Sequence, residues 1–244
     1  MEFLEKFSTV NNFPCVYIDE LAAVVVSDLH IGIEISQTMS GVLMPRIQSE
    51  KVLEELEEIK ESTDAEKLII DGDLKHSFSG RNKKENEEVE NFLQKLSMVY
   101  EKTVVVKGNH DNALEHRTEH FKNIELKEKH FEKGFLFVHG HKNFEIPVGT
   151  DYIILGHEHP ALELKDDVGV VEKISCILYG SIQNYKVVVL PAYSELASGT
   201  GVNGMPKHRL LTPFLKKHGV EKLKAIGVER EAGVYPFPAL NKIV

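Results

Sequence analysis

Several residue types and patterns are scarce in this chain of 244 residues. It has no tryptophan and only two cysteines, Cys15 and Cys176, both in strand-like surroundings. Two isolated cysteines rule out a disulfide-dense scaffold and favour reduced core thiols over a disulfide or a metal pair. No apolar run reaches transmembrane length, and the first residues, MEFLEKFS, lack the basic-then-apolar order of a signal peptide. We therefore expect a soluble, cytoplasmic protein without a membrane partner.

Basic residues are also fewer than acidic ones, so the formal net charge is −9. Such a balance argues against a protein that coats nucleic acid in general. The sign of the charge reverses locally in the segment 206–224, which contains six basic residues and one acidic residue, Glu221. This basic tail is either an electropositive lip for a polyanionic substrate or a solvated helix face whose apolar residues dock on the core. The bases are Lys207, Arg209, Lys216, Lys217, Lys222 and Lys224, and the apolar residues are Leu210, Leu211, Phe214 and Leu215.

Histidine and aspartate concentrate in five short blocks, DLH, GDLKH, GNHD, VHGH and GHEH. Imidazole, carboxylate and amide groups suit Mn, Fe, Co, Ni or Zn, whereas calcium and magnesium sites are almost all oxygen. Five such blocks in this order predict a hydrolytic site for two divalent transition-metal ions. The candidate ligands are Asp28, His30, Asp73, Asn109, His139, His157 and His159.

The first three blocks each follow a short β-branched run, which is typical of a strand buried on both faces. Helical stripes of apolar residues separate them, so the order is βαβαβ. Parallel strands present their carboxyl ends at one edge of a sheet. Asp28, Asp73 and Asn109 lie just past such ends. The predicted strands are 22–27, 67–70 and 103–107, and the predicted helices are 46–62 and 85–100.

After residue 123 short apolar runs replace the helical patterns, which predicts a second, more antiparallel sheet. Packed on the first sheet, it gives an α/β (α+β) fold, a four-layer α/β/β/α sandwich that delivers the later histidines to the same edge. The predicted strands are 124–126, 134–139, 152–156, 173–178 and 186–190.

No linker or internal repeat separates two domains. We expect one domain over residues 1–192 and a C-terminal extension, 193–244, that packs on it. The glycine-rich segment 190–206 either forms a mobile loop over the site or turns the chain back over the sheet.

The blocks resemble those of the calcineurin-like metallophosphoesterase superfamily, over roughly residues 22 to 192. The resemblance implies that Asp73 bridges two metal ions. The first ion is then also bound by Asp28, His30 and His159, and the second by Asn109, His139 and His157. It further implies that His110 is a proton donor or phosphate contact and that Asp111 orients it.

The second block also indicates a branch of the superfamily. Phosphoprotein phosphatases typically read G-D-x-V-D-R-G there, with an arginine that clamps the phosphate, whereas this chain reads GDLKHSF. It looks more similar to the SbcD-related and DNA-ligase-associated phosphoesterases of archaea and bacteria.

This likeness implies hydrolysis of phosphodiesters in nucleotides or short nucleic acids by a hydroxide that bridges two metal ions. Manganese is the expected ion, with Fe, Ni, Co and Zn as alternatives. The competing interpretations are a phosphomonoesterase or nucleotide pyrophosphatase, and a non-catalytic metal-binding adaptor. The sequence does not indicate an oligomeric state.

Three further residues near the blocks, His76, His141 and Arg81, leave alternatives open. His76 and His141 follow ligand candidates closely enough to support the ligands or contact the substrate, and the alternative of a satisfied or surface histidine stays equally open. Arg81, in an exposed loop, either contacts phosphate at the rim or is simply solvated. Glu158 is expected to point away from the metals.

Overall fold

The computed structural model describes residues 1–165, 169 and 171–243, and its first sheet follows the chain order. Its first four strands pair antiparallel and its last four pair parallel. The strands are β1 (Glu2–Leu4), β2 (Phe7–Thr9), β3 (Val16–Ile18), β4 (Ala23–Val26), β5 (Lys67–Asp71), β6 (Lys102–Val106) and β7 (Ile124–Lys127).

The second sheet has the order β14-β11-β12-β13-β10-β9-β8, with β15 added to β12 and β16 added to β15. Its centre, β9-β10-β13, is parallel, and most of the other pairs are antiparallel. The strands are β8 (His130–Glu132), β9 (Phe135–Val138), β10 (Tyr152–Leu155), β11 (Pro160–Lys165), β12 (Val171–Ile182), β13 (Tyr185–Val189), β14 (Thr200–Gly201), β15 (Lys224–Glu229) and β16 (Gly233–Ala239).

Helices connect and cover these sheets. The two long ones begin and end within a few residues of the predicted bounds, because their apolar stripes face the first sheet. The helices are α1 (Ile33–Met39), α2 (Gln48–Glu61), α3 (Lys83–Val99), α4 (Glu115–Thr118) and α5 (Pro213–His218), with 3₁₀ turns at Asp19–Leu21, Lys207–Arg209 and Leu240–Lys242. Within the described ranges, no helix combines the length and apolarity needed to cross a membrane.

Alternate residues of the central strands face different cores. Val24 in β4 packs with α2 and α3, whereas its neighbour Val25 packs between the sheets. Ile154 in β10 joins the inter-sheet core, and Ile153 faces an outer cluster that includes Leu215 of α5. The layers are therefore α2 and α3, the first sheet, the second sheet and a C-terminal layer with α5. This arrangement confirms the predicted four-layer sandwich.

One strand was assigned to the wrong sheet. Residues 124–126, predicted for the second sheet, lie in β7, which extends the first sheet parallel to β6. The connection between β6 and β7 contains α4 and is long enough to return the chain for a parallel pair. The segment 193–244 contributes β14, β15 and β16 to the second sheet. A domain division at residue 192 stays a prediction.

Candidate metal centre

The candidate ligands lie where parallel strands of both sheets end. Asp28, Asp73 and Asn109 follow β4, β5 and β6, while His139 and His157 follow β9 and β10. The loops after β4 and β5 continue the strand pairing by backbone hydrogen bonds, with His30 N donating to Asp73 O at 2.9 Å. The ends of two facing parallel ladders thus bring distant parts of the sequence to one point.

Ligand atoms at this edge form overlapping groups, each with its atoms within 4.8 Å of one another. Two groups contain six of the seven candidate ligands, and a third includes His110. The groups are Asp28, His30 and His159; Asp73, His139 and His157; and His30, His76 and His110. Asn109 joins the second group, because its Oδ1 lies 3.3 Å from His139 Nε2.

Most of the candidate ligands have a left-handed backbone, which L-amino acids rarely adopt. Such conformations cost about 1–3 kcal/mol each and persist only where the surroundings impose them. Here they turn each side chain off the end of its strand toward the centre. The φ values are 57° at Asp28, 48° at His30, 51° at Asp73, 64° at His157 and 45° at His159.

Glycines allow the loops to approach the carboxylates closely. A Cβ at Gly108 would lie 2.0 Å from Asp73 Oδ1, and a Cβ at Gly156 would lie 2.0 Å from Ser27 Oγ and 3.0 Å from Asp28 Oδ2. Any side chain at these positions would displace a ligand candidate. The glycines of the GNHD and GHEH blocks are therefore part of the site.

Burial and charge set the protonation of the deepest groups. Asp28, Asp73 and His139 are at most 1% exposed. Burial alone would lower the pKa of His139, but Asp28 and Asp73 raise it to about 10. Burial alone would raise the pKa of Asp28, but His159 and His139 hold it well below its usual range. The two buried carboxylates thus favour positive charge at this point of the site, which a bound cation would supply.

Two other imidazoles are neutral and can act as metal ligands. Burial, the largest cause, lowers the pKa of both His30 and His157 to about 4.

The ring of His139 is fixed by a backbone carbonyl. Its Nδ1 pairs with Asp71 O at 2.9 Å, which leaves its Nε2 facing Asp73 Oδ2 at 3.3 Å. A backbone carbonyl that fixes one ring nitrogen and leaves the other free is typical of metal-binding histidines.

The donor atoms fit bound cations. Asp28 Oδ1 lies 2.9 Å from His159 Nε2 but lacks a hydrogen bond, and Nδ1 of His30 is likewise buried without one, within the described residues. Donor atoms that converge without pairing are arranged as the ligands of one ion are. The mixture of imidazole, carboxylate and amide suits a divalent transition metal.

His110 lies at the rim of this cluster. Its backbone NH donates to Asp73 Oδ1 at 2.9 Å, and its Nε2 lies 3.7 Å from Asp73 Oδ2. Its Nδ1 faces the carbonyl oxygen of His76, so His76 sets the ring's orientation through its backbone. On its outer side the ring stacks on Phe78.

Comparison with known proteins identifies the family. The family model of the calcineurin-like phosphoesterases matches residues 22–149, just over half of the chain. The chain belongs to that family. The match contains the first four blocks, and the GHEH block lies beyond it.

A solved structure shows the same fold for this phosphoesterase. The crystal structure of Pseudomonas putida nuclease MPE is 23% identical, covers 93% of this chain and 92% of its own, and superposes with a TM-score of 0.63. A protein of unknown function, AQ665 from Aquifex aeolicus, is 20% identical over 56% of this chain and 78% of its own, with a TM-score of 0.37. No curated protein matches the chain.

The expected role of Asp111 differs from what the phosphoesterase shows. Its carboxylate accepts hydrogen bonds from Gly108 N at 2.8 Å and Lys75 N at 3.2 Å instead of orienting the His110 ring. It holds the GNHD loop against the loop of the second block. The family resemblance implied that Asp111 is near the site, but it could not indicate which backbone groups surround it.

The remaining candidates separate into two kinds. His76 belongs to the rim group, and His141 lies beside two ligand candidates, with ring centroids 5.4 Å from His139 and 6.1 Å from His157. Arg81 is exposed, and in the described part of the chain no hydrogen bond or ion pair joins it to the cluster. Glu158 points away from the centre, as expected, and accepts hydrogen bonds from the backbone of Leu211 and Thr212.

Sequence reasoning missed residues that support the ligands. Ser27 Oγ bridges Asp28 Oδ2 and the carbonyl oxygen of Asp71, at 2.5 and 2.9 Å. Gln48 of α2 donates to Leu29 O and Ser194 Oγ, at 2.8 Å each, which fixes the DLH loop from outside. The position of Ser27 next to Asp28 was a usable signal, whereas nothing in a helical stripe marks Gln48 for this contact.

Proposed function

We propose that this chain is a two-metal phosphodiesterase acting on nucleotide-type or short nucleic-acid substrates. The observation that supports it most is that two ligand groups lie side by side. Asp73 belongs to the group with His139 and His157, and His139 Nε2 lies 3.9 Å from Asp28 Oδ1 in the group of Asp28, His30 and His159. Under this proposal, Asp73 would contribute to both ion sites, and each set of side chains would hold one divalent ion, manganese being the expected one.

The metal ligands and His110 would have different roles in the reaction. Two bound divalent ions supply polarisation of the phosphoryl oxygens and acidification of a coordinated water. Two carboxylates only partly balance the charge of such ions, so the centre attracts an anionic phosphoryl group. His110, beside Asp73 but less buried, is placed to donate a proton to the leaving oxygen. No serine or cysteine nucleophile is needed.

The second block favours diesters over monoesters. Its Lys75 is buried, with Nζ on the carbonyl oxygen of Ser77, so that cation does not face a substrate. Arg81, the other candidate cation, is exposed and unattached to the centre in the described residues. Without a clamping cation, the centre suits the single charge of a diester better than a terminal phosphate dianion. The fold likeness to a Pseudomonas putida protein described as a nuclease agrees with a nucleic-acid substrate.

The test compares bis-p-nitrophenyl phosphate with p-nitrophenyl phosphate after removal of metal and addition of Mn²⁺, Fe²⁺, Co²⁺, Ni²⁺ or Zn²⁺. We expect no hydrolysis without metal, restoration by a transition metal and a preference for the diester. A preference for the monoester would indicate a phosphomonoesterase. Two metals bound with neither substrate hydrolysed would support an adaptor.

A further inference from the structure

Phe78 is an exposed aromatic residue in direct contact with the candidate proton donor. Its ring lies 3.8 Å from that of His110, between centroids, with an interplanar angle of 28°. Nevertheless 59% of Phe78 is exposed. One face of the ring therefore covers His110, and the opposite face is open to solvent.

Polar contacts hold the backbone that carries this ring in place. Asn112 Nδ2 donates to the carbonyl oxygen of Phe78 at 3.2 Å, and the buried Glu85 accepts from Ser77 N at 2.5 Å. Asn86 Nδ2 donates to the carbonyl oxygen of Gly80 at 2.9 Å. Side chains of the GNHD loop and of α3 thus fix the backbone on both sides of Phe78. A fixed, exposed ring loses little entropy when a flat partner stacks on it.

We propose that Phe78 is a stacking platform for an unpaired nucleobase next to the scissile phosphate. This inference rests on the proposed function and specifies its substrate. One imidazole ring lies between Asp73 and Phe78: His110 Nε2 is 3.7 Å from Asp73 Oδ2, and its ring centroid is 3.8 Å from that of Phe78. A sugar likewise separates a phosphate from its base. A phosphate bound beside Asp73 therefore brings its own base within reach of the open face.

Stacking on Phe78 selects for single strands. In a duplex both faces of a base are covered by its neighbours, so the base would have to leave the stack first. Every base has a π face, and the structure supplies a flat hydrocarbon ring here, so the platform tolerates any sequence. The inferred substrate class is dinucleotides and single-stranded oligonucleotides.

The kinetic test uses two diesters with the same leaving group. Thymidine 5′-(p-nitrophenyl phosphate) carries a base, whereas methyl p-nitrophenyl phosphate does not. Phe78→Ala and Phe78→Leu should each lower kcat/KM for the thymidine ester by about 5–100-fold and leave the methyl ester unchanged. Phe131→Ala, at a phenylalanine 40% exposed on β8, is the matched control and should change neither.

The binding test exploits the absence of tryptophan from the chain. Phe78→Trp creates a single indole, whose fluorescence should be quenched by single-stranded oligothymidylate and much less by an abasic oligonucleotide of equal charge. Phe131→Trp should not respond, and a duplex should quench Phe78→Trp less than a single strand does.

The outcomes separate the inference from the proposed function. Equal losses for both esters in Phe78→Ala would make Phe78 a support for the loops of the metal centre and overturn the platform. Equal quenching by abasic and base-bearing strands would also overturn it. Quenching as expected in a protein that hydrolyses neither ester would support the platform and overturn the phosphodiesterase.

Discussion

The buried side of the centre and its rim are built differently. Asp28, Asp73 and His139 are almost inaccessible, with left-handed backbone at both aspartates. At the rim, His110 has an ordinary backbone and the neighbouring Phe78 is largely exposed. The buried side concentrates charge and requires backbone strain, which suits ion binding. The rim presents rings to an incoming molecule, which suits substrate contact and proton transfer.

The largest effect is expected from a substitution at Asp73, on the buried side of the metal centre. Asp73→Asn should reduce turnover to background and lower the occupancy of both metals, because an amide lacks the charge that holds two cations together. Turnover and metal content per chain are the measurements, with the exposed Asp64→Asn as control. An active Asp73→Asn protein with two tightly bound ions would overturn the assignment of this centre.

Breaking the rim should leave the metals in place. His110→Ala should cut turnover by about 10²–10⁴-fold while the metal content stays that of the wild type. The loss should shrink for p-nitrophenyl diesters, because p-nitrophenolate leaves without a proton. Equal losses for good and poor leaving groups would assign His110 a purely electrostatic role, and loss of metal would make it a ligand.

A pair of glycines tests whether close packing, apart from backbone strain, sustains the buried side. A Cβ at Gly72 would lie 2.2 Å from His139 Nδ1, whereas Gly41, with nearly the same φ, has nothing within 4 Å. Both alanine variants carry the backbone cost, about 1–3 kcal/mol. Gly72→Ala alone should displace His139 from Asp71 and weaken metal binding by about 10–100-fold. Similar metal affinities in Gly72→Ala and Gly41→Ala would contradict this account.

The sequence predicted the buried side better than the rim. Ligand candidates occur in spaced blocks after β-branched strands, so their convergence follows from the parallel sheet and from the family resemblance. The contacts of Asp111 and Phe78 depend on how loops from different blocks meet, which neither spacing nor periodicity records. For the same reason β7 was assigned to the wrong sheet, since an apolar run does not identify its partner.

The smallest effect is expected at the basic tail, which packs on the second sheet. Leu210 and Leu215 are buried, as a docked helix requires, and Glu158 also ties the backbone at Leu211 to the GHEH block. The lysines at positions 216, 217, 222 and 224 are exposed, and within the described ranges none forms an ion pair. Docking on the core and a lip near the centre are therefore compatible, and an experiment decides whether the lip binds substrate.

Replacing Lys216, Lys217, Lys222 and Lys224 with Gln should raise KM for oligonucleotides a few-fold and flatten its salt dependence. For single strands, the slope of log affinity against log salt should fall by about 0.7 for each phosphate that the protein no longer neutralises. Kinetics with bis-p-nitrophenyl phosphate should barely change, because that diester reaches only the metal centre. Replacing four exposed lysines elsewhere controls for net charge: Lys95, Lys122, Lys129 and Lys186. If both lysine sets behave alike, or if both substrates respond equally, the tail is a structural element, and substrate contact is confined to the metal centre and its aromatic rim.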